Sequence, residues 1–547
     1  PSGRVGVFSQ SGALAGTLLE LAARRALGVS TFVSIGDRAD VSGNDLLQYW
    51  QQDPRTDVVV LHLQGFGNPR KFARIARGVG RTKPVVALKS GRGERDAAVD
   101  ALFESAGVVR VDTLAQLFDA AQLLAHQPLP RGRRVGVVGT SSALAALAAD
   151  ACRAAGLEVP SLPDLVQSEL AALLSTTETT NPVDLGPLGA PREFEAALRS
   201  VAASGEVDAL LVLVTPHPQV EQMAAAVLAV ARDVELPVLS SFLGHDGVPP
   251  GLCVPDADGA PDRGSVPSYA SPESAALALS RAVSYAAWRA RPQGVVPALD
   301  GLDLDVTHRV VDAHPHDGRW LPPEAAAQVL AGVGLPAWPA ASVSTLDEAR
   351  DAADRLGWPV ALKSVDVRWR GRVDLGAVRL DVEPDGLDSA FEAVQAHVGS
   401  GDLLVQPMAP SGVSVVVRLV QDPAVGPLLS VRLGGVVAGL LADATTRTLP
   451  LTDRDAGELV QCFRGSALLR GEVGGPVADT RALEDLLLRL ARLGEEVPEV
   501  AEVRLDPVLV GEHGVTLLHC AMRLLPPEAD PEAGPRRLGA RGAAYLR

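Results

Sequence analysis

The chain opens with short apolar runs that alternate with longer helical stretches. Val5–Phe8, Val58–Leu63 and Pro84–Leu88 are apolar runs, and an apolar-rich stretch, Ala13–Leu27, follows the first of them. Continuous apolar runs separated by helical stretches are typical of buried parallel strands in a doubly wound sheet. We therefore predict an α/β domain over residues 1–128.

The same plan starts again near residue 131. Arg134–Val138 is a strand candidate, Ala143–Ala155 a helix candidate, and Ala209–Val214 and Leu236–Ser240 are two more buried-strand candidates. The repetition predicts a second α/β domain over residues 129–296. The stretch His245–Ser268 is rich in Gly, Pro and Asp, which indicates a long surface loop.

From about residue 297 the pattern changes. Helix candidates at Glu324–Gly332 and Leu346–Leu356 come before strand candidates at Pro359–Lys363, Ala377–Val382, Leu403–Met408 and Ser414–Val420. Helices followed by several strands predict an α+β domain over residues 297–527. Residues 528–547, rich in Pro, Gly and Arg, form a C-terminal tail.

Length and composition fit this three-domain plan. The 547 residues exceed what one core supports, and 47% hydrophobic with 21% charged residues is typical of packed proteins. No run reaches the roughly 18–20 apolar residues that span a bilayer, and no signal peptide opens the chain. The four cysteines form no CxxC pair. We expect a cytoplasmic protein with no membrane partner, and the start at Pro1 indicates a fragment or a processed product.

The net charge of −16 disfavours nucleic acid as a partner, because phosphate binding needs a basic surface. Two serine-rich turns could still hold a small anion locally. Ser9-Gln10-Ser11-Gly12 and Gly139-Thr140-Ser141-Ser142 each stand where a strand ends and a helix begins. Free N–H groups at a helix N-terminus bind phosphate or carboxylate. A plain serine N-cap accounts for the same pattern without a ligand.

Two further candidates lie in the third domain. Lys363 ends an apolar strand, where it could face nucleotide phosphates or reach out to solvent from the surface. Gln406-Pro407-Met408 follows another strand, as a hinge that pairs with an adenine edge or as a simple strand end. None of the ten histidines lies between Gln64 and Ala125, and His314 and His316 flank a proline in a polar, solvated loop.

Motifs spread over residues 3–526 resemble, in order, the NDP-forming acyl-CoA synthetase family, which includes succinyl-CoA synthetase and ADP-forming acetate–CoA ligases. They are Gly3–Gly12, Gly36–Val41, Asn68–Phe72, Lys83–Val86, Lys89–Arg92, Asn181–Leu185, Trp358–Lys363, Asp374–Val378, Gln406–Met408, Asp422-Pro423, Gly426-Pro427 and Leu433–Gly435. The resemblance implies two flavodoxin-like, succinyl-CoA synthetase-type domains followed by an ATP-grasp domain.

Two short segments, Val41–Asp45 and Leu375–Asp381, are most similar to the synthetase-like module of actinobacterial protein acetyltransferases. The Arg-rich, Lys-poor composition fits a high-GC bacterium. In the family, acyl-CoA and phosphate form an acyl phosphate, and a swinging histidine carries its phosphoryl group to ADP with magnesium. A separate N-terminal domain binds CoA, and this chain lacks it.

The resemblance also implies the site residues. The two serine-rich turns would hold the anion, through the residues Ser9, Gln10, Ser11, Gly12, Thr140, Ser141 and Ser142. The nucleotide would bind ATP-grasp residues, namely Lys363, Gln406, Pro407, Met408, Gly434 and Gly435. Asp506 would be the one candidate metal ligand.

The chain departs from the family at the catalytic positions. Gly93–Leu102, where the swinging histidine belongs, holds none and is short. Gln64 stands in place of a glutamate, and a neutral amide cannot stabilise an imidazolium as a carboxylate does. Further substitutions replace a histidine, a glutamate, an arginine, an asparagine and a magnesium-binding aspartate, at Gly371, Gly439, Val473, Asp506 and Cys520. A thiol is a poor magnesium ligand, so the case for magnesium is weak.

Two functions follow from this sequence. The first is an impaired synthetase-like module, inactive alone, that senses a nucleotide (ATP or ADP) or acyl-CoA and regulates an upstream acetyltransferase domain. The second is an active ADP-forming acyl-CoA ligase, an acid–thiol ligase whose CoA-binding domain and histidine loop lie outside this chain. A homo-oligomer is compatible with both.

Overall fold

The computed structural model describes residues 2–35, 41–91, 93, 96–174, 179–365, 376–398, 402–435 and 443–527. The chain divides into two compact units, one reaching to Pro292 and one beginning at Gln293. The first two predicted domains lie in the first unit, and the predicted tail lies outside the described residues.

The first half of the first unit is a five-stranded parallel sheet with helices between its strands, in the order β2-β1-β3-β4-β5. Its strands are β1 (Ser2–Ser9), β2 (Val29–Ser34), β3 (Val58–Leu63), β4 (Val85–Lys89) and β5 (Val108–Val111). Its helices are α1 (Gly12–Arg24), α2 (Gly43–Gln52), α3 (Pro69–Gly80), α4 (Asp96–Ala106) and α5 (Leu114–His126). Every residue of β3 is buried, as the run Val58–Leu63 predicts.

The second half repeats the plan with a four-stranded parallel sheet in the order β7-β6-β8-β9. Its strands are β6 (Val135–Gly139), β7 (Val183–Asp184), β8 (Ala209–Val214) and β9 (Val238–Phe242). Its helices are α6 (Ser142–Ala154), α7 (Asp164–Leu173), α8 (Pro191–Ala203), α9 (Val220–Asp233) and α10 (Pro272–Ala290).

Asn181 fastens the start of this second sheet. Its Oδ1 accepts from the N–H of Val137 at 2.9 Å, and its Nδ2 donates to the carbonyls of Val135 at 2.8 Å and Pro160 at 2.9 Å. The side chain thus satisfies three backbone groups beside β6, two of which are buried in the sheet.

The segment after β9 is a long loop, as its composition predicts, but it does not lie wholly on the surface. Leu252, Val266 and Ser268 are fully buried, and the N–H of Tyr269 donates to the carbonyl of Ser240 in β9. The few apolar residues among the Gly, Pro and Asp positions pack back against the sheet.

Helices α5 and α10 join the two halves of the first unit. The Tyr285 hydroxyl in α10 donates to the carbonyl of Gly80 at 2.7 Å, and the Arg81 guanidinium lies 4.3 Å from the ring centre of Trp288. Gln127, directly after α5, donates to the Ser265 carbonyl at 2.7 Å and accepts from a backbone N–H of β9. The two halves therefore share apolar packing and buried hydrogen bonds.

The second unit holds two antiparallel sheets. Helices α11 (Leu304–Asp312) and α12 (Pro323–Gly332) precede the smaller sheet, whose order is β10-β13-β11-β12. Its strands are β10 (Ala341–Val343), β11 (Val360–Ser364), β12 (Val378–Val382) and β13 (Leu403–Pro407). Helices α13 (Leu346–Leu356) and α14 (Leu387–Val398) lie between them in sequence.

The larger sheet has six strands, in the order β16-β15-β14-β17-β18 with β19 also paired to β17. Its elements are β14 (Val413–Asp422), β15 (Gly426–Leu433), β16 (Ala444–Thr448), α15 (Asp453–Gln461), α16 (Ser466–Leu469), α17 (Thr480–Glu496), β17 (Val500–Gly511), β18 (Gly514–Leu517) and β19 (Cys520–Leu524). Leucines of α17 pack on the valines of β14 and β17 to form its core. Two parallel α/β sheets followed by this unit confirm the predicted fold class.

Candidate functional site

The first serine-rich turn lies at the carboxyl edge of the first sheet, between β1 and α1. Gln10 is buried there and holds the loop that follows β3. Its Oε1 accepts from the N–H groups of Gln64 and Gly65, and its Nε2 donates to the Gly65 carbonyl at 2.8 Å. Both polar atoms of the Gln10 amide therefore bind backbone groups, and these bonds hold the loop that carries Gln64 in place.

The outer part of the turn is open. Ser11 is the N-cap of α1, its hydroxyl makes no capping hydrogen bond, and Gly12 is exposed. Of the four residues predicted to hold an anion in this turn, these two face outward, and Ser9 and Gln10 are buried.

His62, near the end of β3, links Ser9 at the end of β1 to Ser90 directly after β4. Its Nδ1 lies 3.2 Å from Oγ of Ser9, and its Nε2 lies 2.9 Å from Oγ of Ser90. The ring is 2% exposed, and burial lowers the pKa of His62. Sequence reasoning gave this histidine no role, although a histidine inside an otherwise apolar buried run is a signal that could have found it.

The second turn joins β6 to α6. The side chain of Thr140 is fully buried. Its hydroxyl oxygen accepts from the N–H of Thr215 at 3.0 Å and lies 3.0 Å from Oγ1 of the same residue. The Ser141 hydroxyl accepts from the N–H of Leu144 and so caps α6, and Ser142 is the exposed first residue of the helix. Convergence of this turn with the first on one anion stays a prediction.

In the second unit the structure brings Lys363 and Gln406 together. They lie on the adjacent strands β11 and β13, and Nζ of Lys363 donates to Oε1 of Gln406 at 2.5 Å. The Nε2 of Gln406 donates to the carbonyl of Leu518 at 3.0 Å, which ties the smaller sheet to the larger one. Burial lowers the pKa of Lys363 to about 8.

The hinge residues after Gln406 have backbone partners within the protein. The N–H of Met408 donates to the Pro359 carbonyl at 3.0 Å, and the Pro407 carbonyl accepts from the indole N–H of Trp338 at 2.9 Å. The Pro407 carbonyl keeps a second lone pair, which an adenine amino group could use. Sequence reasoning missed Trp338.

Gly434 and Gly435 follow β15, the first packed closely against a serine side chain and the second in a backbone conformation that favours glycine. A Cβ on Gly434 would lie 2.1 Å from Oγ of Ser414, and Gly435 has φ +93°. These glycines shape the turn whether or not a nucleotide binds there.

Asp506 lies in β17, and Cys520 lies opposite Leu505 in β19. Burial raises the pKa of Asp506, against the charges of Arg432 and Arg504 that lower it. Among the described residues, no group of three or more His, Cys, Asp and Glu side chains is arranged to hold a metal ion.

The remaining substituted positions are surface or undescribed ones. Gln64 is exposed beside the turn, and Val473 is 66% exposed. Gly371, Gly439 and most of the short segment before α4 lie outside the described residues.

Comparison with known proteins assigns both ends of the chain to families of domains. Residues 2–124 match the succinyl-CoA ligase-like flavodoxin domain, and residues 312–524 match an ATP-grasp domain. Flavodoxin-like sheets followed by an ATP-grasp unit are the domain order of the nucleotide-diphosphate-forming acyl-CoA synthetases, and this chain has a synthetase-like module of that class.

Sequence relatives extend over nearly the whole chain. ADP-forming acetate–CoA ligase I of Archaeoglobus fulgidus is 30% identical over 95% of this chain and 78% of its own length. ADP-forming 4-hydroxybutyrate–CoA ligase of Nitrosopumilus maritimus is 26% identical over 94% of this chain and 76% of its own length. The chain belongs to the ADP-forming acetate–CoA ligase family.

Solved structures overlap a smaller part of the chain. The dinucleotide-forming acetyl-coenzyme A synthetase 1 of Ca. Korarchaeum cryptofilum, in complex with phosphate and ADP, is 24% identical with a TM-score of 0.47, over 53% of this chain and 66% of that one. Within the described ranges, none of the helices has the length and apolarity needed to cross a membrane.

Proposed function

We propose that this chain is a synthetase-like module with impaired catalysis, which binds a nucleotide or acyl-CoA and regulates a partner acetyltransferase domain. The observation that carries the proposal concerns histidine. The sequence holds no histidine between Gln64 and Ala125, where the family resemblance implies a swinging one. His62, directly before this region, is buried and hydrogen-bonded through both ring nitrogens, so it is not free to swing between sites.

Nucleotide binding is supported by the Lys363–Gln406 pair. A half-buried ammonium at the end of β11 offers a positive charge in a poorly solvated place, where a phosphate interaction is stronger than in water. Cys520 stands where the family resemblance implies a magnesium-binding aspartate, and a thiol is a poor magnesium ligand. We therefore expect the nucleotide to bind with little help from the metal.

The first experiment measures catalysis. The purified chain is incubated with acetate, ATP and CoA, and an active family ligase is assayed in parallel as the positive control. We expect no acetyl-CoA from this chain. Turnover that depends on this chain alone contradicts the proposal.

The second experiment measures binding by calorimetry, with ATP titrated in the presence and absence of magnesium. We expect binding in both buffers, with less than about a threefold change in Kd, and much weaker binding by K363M, where the ammonium is absent. A gain of a hundredfold or more with magnesium contradicts the proposed site.

An active ADP-forming ligase remains the second candidate. It is favoured by the relatives named ADP-forming CoA ligases, which align over nearly the whole chain. It requires that the CoA-binding domain and the histidine loop were cut away or left out of this chain. Reading the full-length gene before Pro1 and across Glu94–Asp96 tests it, because a histidine in a longer loop there and an upstream CoA-binding domain would support this candidate.

A further inference from the structure

Three strands of the first sheet bring Ser9, His62 and Ser90 onto one face. In the parallel register Ser9 is opposite His62, and His62 is opposite Leu88. Ser90 is two residues beyond Leu88, and side chains two apart on a strand point the same way. The N–H of Ser90 donates to the Leu63 carbonyl at 2.9 Å, so Ser90 continues the β4 ladder and is held in place.

The three side chains form a hydrogen-bonded line from the interior to the surface. Ser9 is fully buried, His62 is almost fully buried, and Ser90 is exposed. The distances are 3.2 Å from Ser9 Oγ to Nδ1 and 2.9 Å from Nε2 to Ser90 Oγ. Only the Ser90 hydroxyl at the outer end can meet a molecule from solution.

The Ser9 contacts assign the proton positions. Its Oγ donates to the Ser11 carbonyl at 3.1 Å and accepts from the Ser11 N–H at 3.1 Å. Because the single hydroxyl proton is directed to that carbonyl, we assign the ring proton of His62 to Nδ1, which donates to Ser9. Nε2 is then the lone-pair nitrogen, and it accepts from the Ser90 hydroxyl. The lowered pKa of His62 keeps the ring neutral.

A neutral imidazole that accepts from an exposed serine hydroxyl, and whose other nitrogen is held by a third group, is the arrangement of an activated nucleophile. A buried histidine that merely satisfies its polar groups needs no exposed partner. Gly91, with φ +80°, turns the chain directly after Ser90, so the hydroxyl lies at the edge of the sheet.

We propose that Ser90 is an acyl-acceptor site, at which the hydroxyl, with His62 as general base, takes an acyl group from an acyl thioester or an acyl phosphate. The choice of an acyl donor rests on the proposed function. Ser90 Oγ forms a bond to the acyl carbon as its proton passes to Nε2 of His62. The bond from the acyl carbon to sulfur or to phosphate oxygen breaks, and the thiolate or phosphate leaves with that proton.

The test incubates the purified chain with acetyl-CoA in one arm and acetyl phosphate in another, and maps acetyl groups by peptide mass spectrometry. We expect one acetyl ester, on Ser90, and its appearance in one arm only identifies the donor. In H62Q, whose amide cannot act as a base, the rate should fall about 100-fold. S90A should carry no ester in this segment. S284A, which removes another exposed serine hydroxyl, one that donates to a backbone carbonyl, should behave as wild type.

Several outcomes would overturn the proposal: no ester on Ser90 with either donor, an equal rate in wild type and H62Q, or a phosphoryl group on Ser90 in place of acetyl. S9A is the second variant: it keeps the base and loses the hydroxyl that orients it, together with the two bonds of that hydroxyl to Ser11, so its rate should fall less than that of H62Q. Nucleotide binding is measured on the same preparation. Loss of the ester with ATP binding intact contradicts this inference alone, and the reverse contradicts the proposed function alone.

Discussion

The ammonium of Lys363 donates to the side-chain oxygen of Gln406 across the adjacent strands β11 and β13. Gln406 is 2% exposed and supplies a dipole but no negative charge, so the lysine is half-buried next to a neutral partner. Desolvation then outweighs the hydrogen bond, and the pKa falls to about 8.

The first prediction concerns stability and pH. The folded-state pKa of Lys363 lies below the unfolded value of about 10.4. Between about pH 8 and pH 10 the unfolded chain binds more protons, so the free energy of unfolding gains from this residue as pH rises. Between about pH 7.5 and pH 9.5, the free energy of unfolding of the wild type should rise by about 2 kcal/mol relative to that of K363M. Urea unfolding of both proteins at these pH values measures the difference. If the free energies of unfolding of the two proteins changed equally with pH, the pKa of Lys363 would not be lowered.

The second prediction concerns ligand affinity and follows from the proposed nucleotide site. Above about pH 8 Lys363 loses its charge, so ATP should bind severalfold more weakly at about pH 9 than at about pH 7. Calorimetry at both pH values measures this, with K363M as the variant whose residual affinity should not change. An affinity that is constant in wild type would place the phosphates away from Lys363.

The third prediction compares two neighbouring residues of the first turn. Q10A leaves the N–H groups of Gln64 and Gly65 and the Gly65 carbonyl without their partner, and should lower the free energy of unfolding by about 3 kcal/mol. S11A removes a hydroxyl that makes no capping bond, and should change it by less than about 0.5 kcal/mol. Denaturant unfolding compares the two, and similar losses would contradict the assignment of Gln10 as the residue that holds the loop.

The fourth prediction concerns Asn181. N181D keeps the acceptor for Val137 but loses both donated bonds and places a charge at a buried position, so it should cost about 3 kcal/mol or more. S168A, on the exposed face of α7, is the control and should stay within about 0.5 kcal/mol of wild type. A Tm shift of N181D no larger than that of S168A would rule out a structural role.

The sequence predicted most of the fold because buried parallel strands leave a strong pattern. Val58–Leu63 and Leu346–Leu356 have the same bounds in sequence and structure. Short or half-exposed strands leave only a weak hydrophobic pattern, and β2 and β5 were not predicted for this reason. The partly buried loop after β9 shows the converse case, since its turn-rich composition hides a few packed apolar residues.

The site was harder to predict, because its chemistry depends on pairs that are distant in sequence. Lys363 and Gln406 were each named from the motif, but their bond follows from strand order in the sheet. The Ser9, His62 and Ser90 line joins three strands and has no local spacing to find it by. Strand order and register bring these residues together, and neither can be read from one stretch of chain.

Helix α10 bears on how the first unit melts. Its Tyr285 packs into the core of the first half, and other residues of the same helix complete the core of the second. Neither half can lose its structure without exposing the other, so the two flavodoxin-like halves form one cooperative folding unit. A calorimetric scan should show a single endotherm for the two of them together. A mutation that loosens the Tyr285 contact should split this endotherm into two.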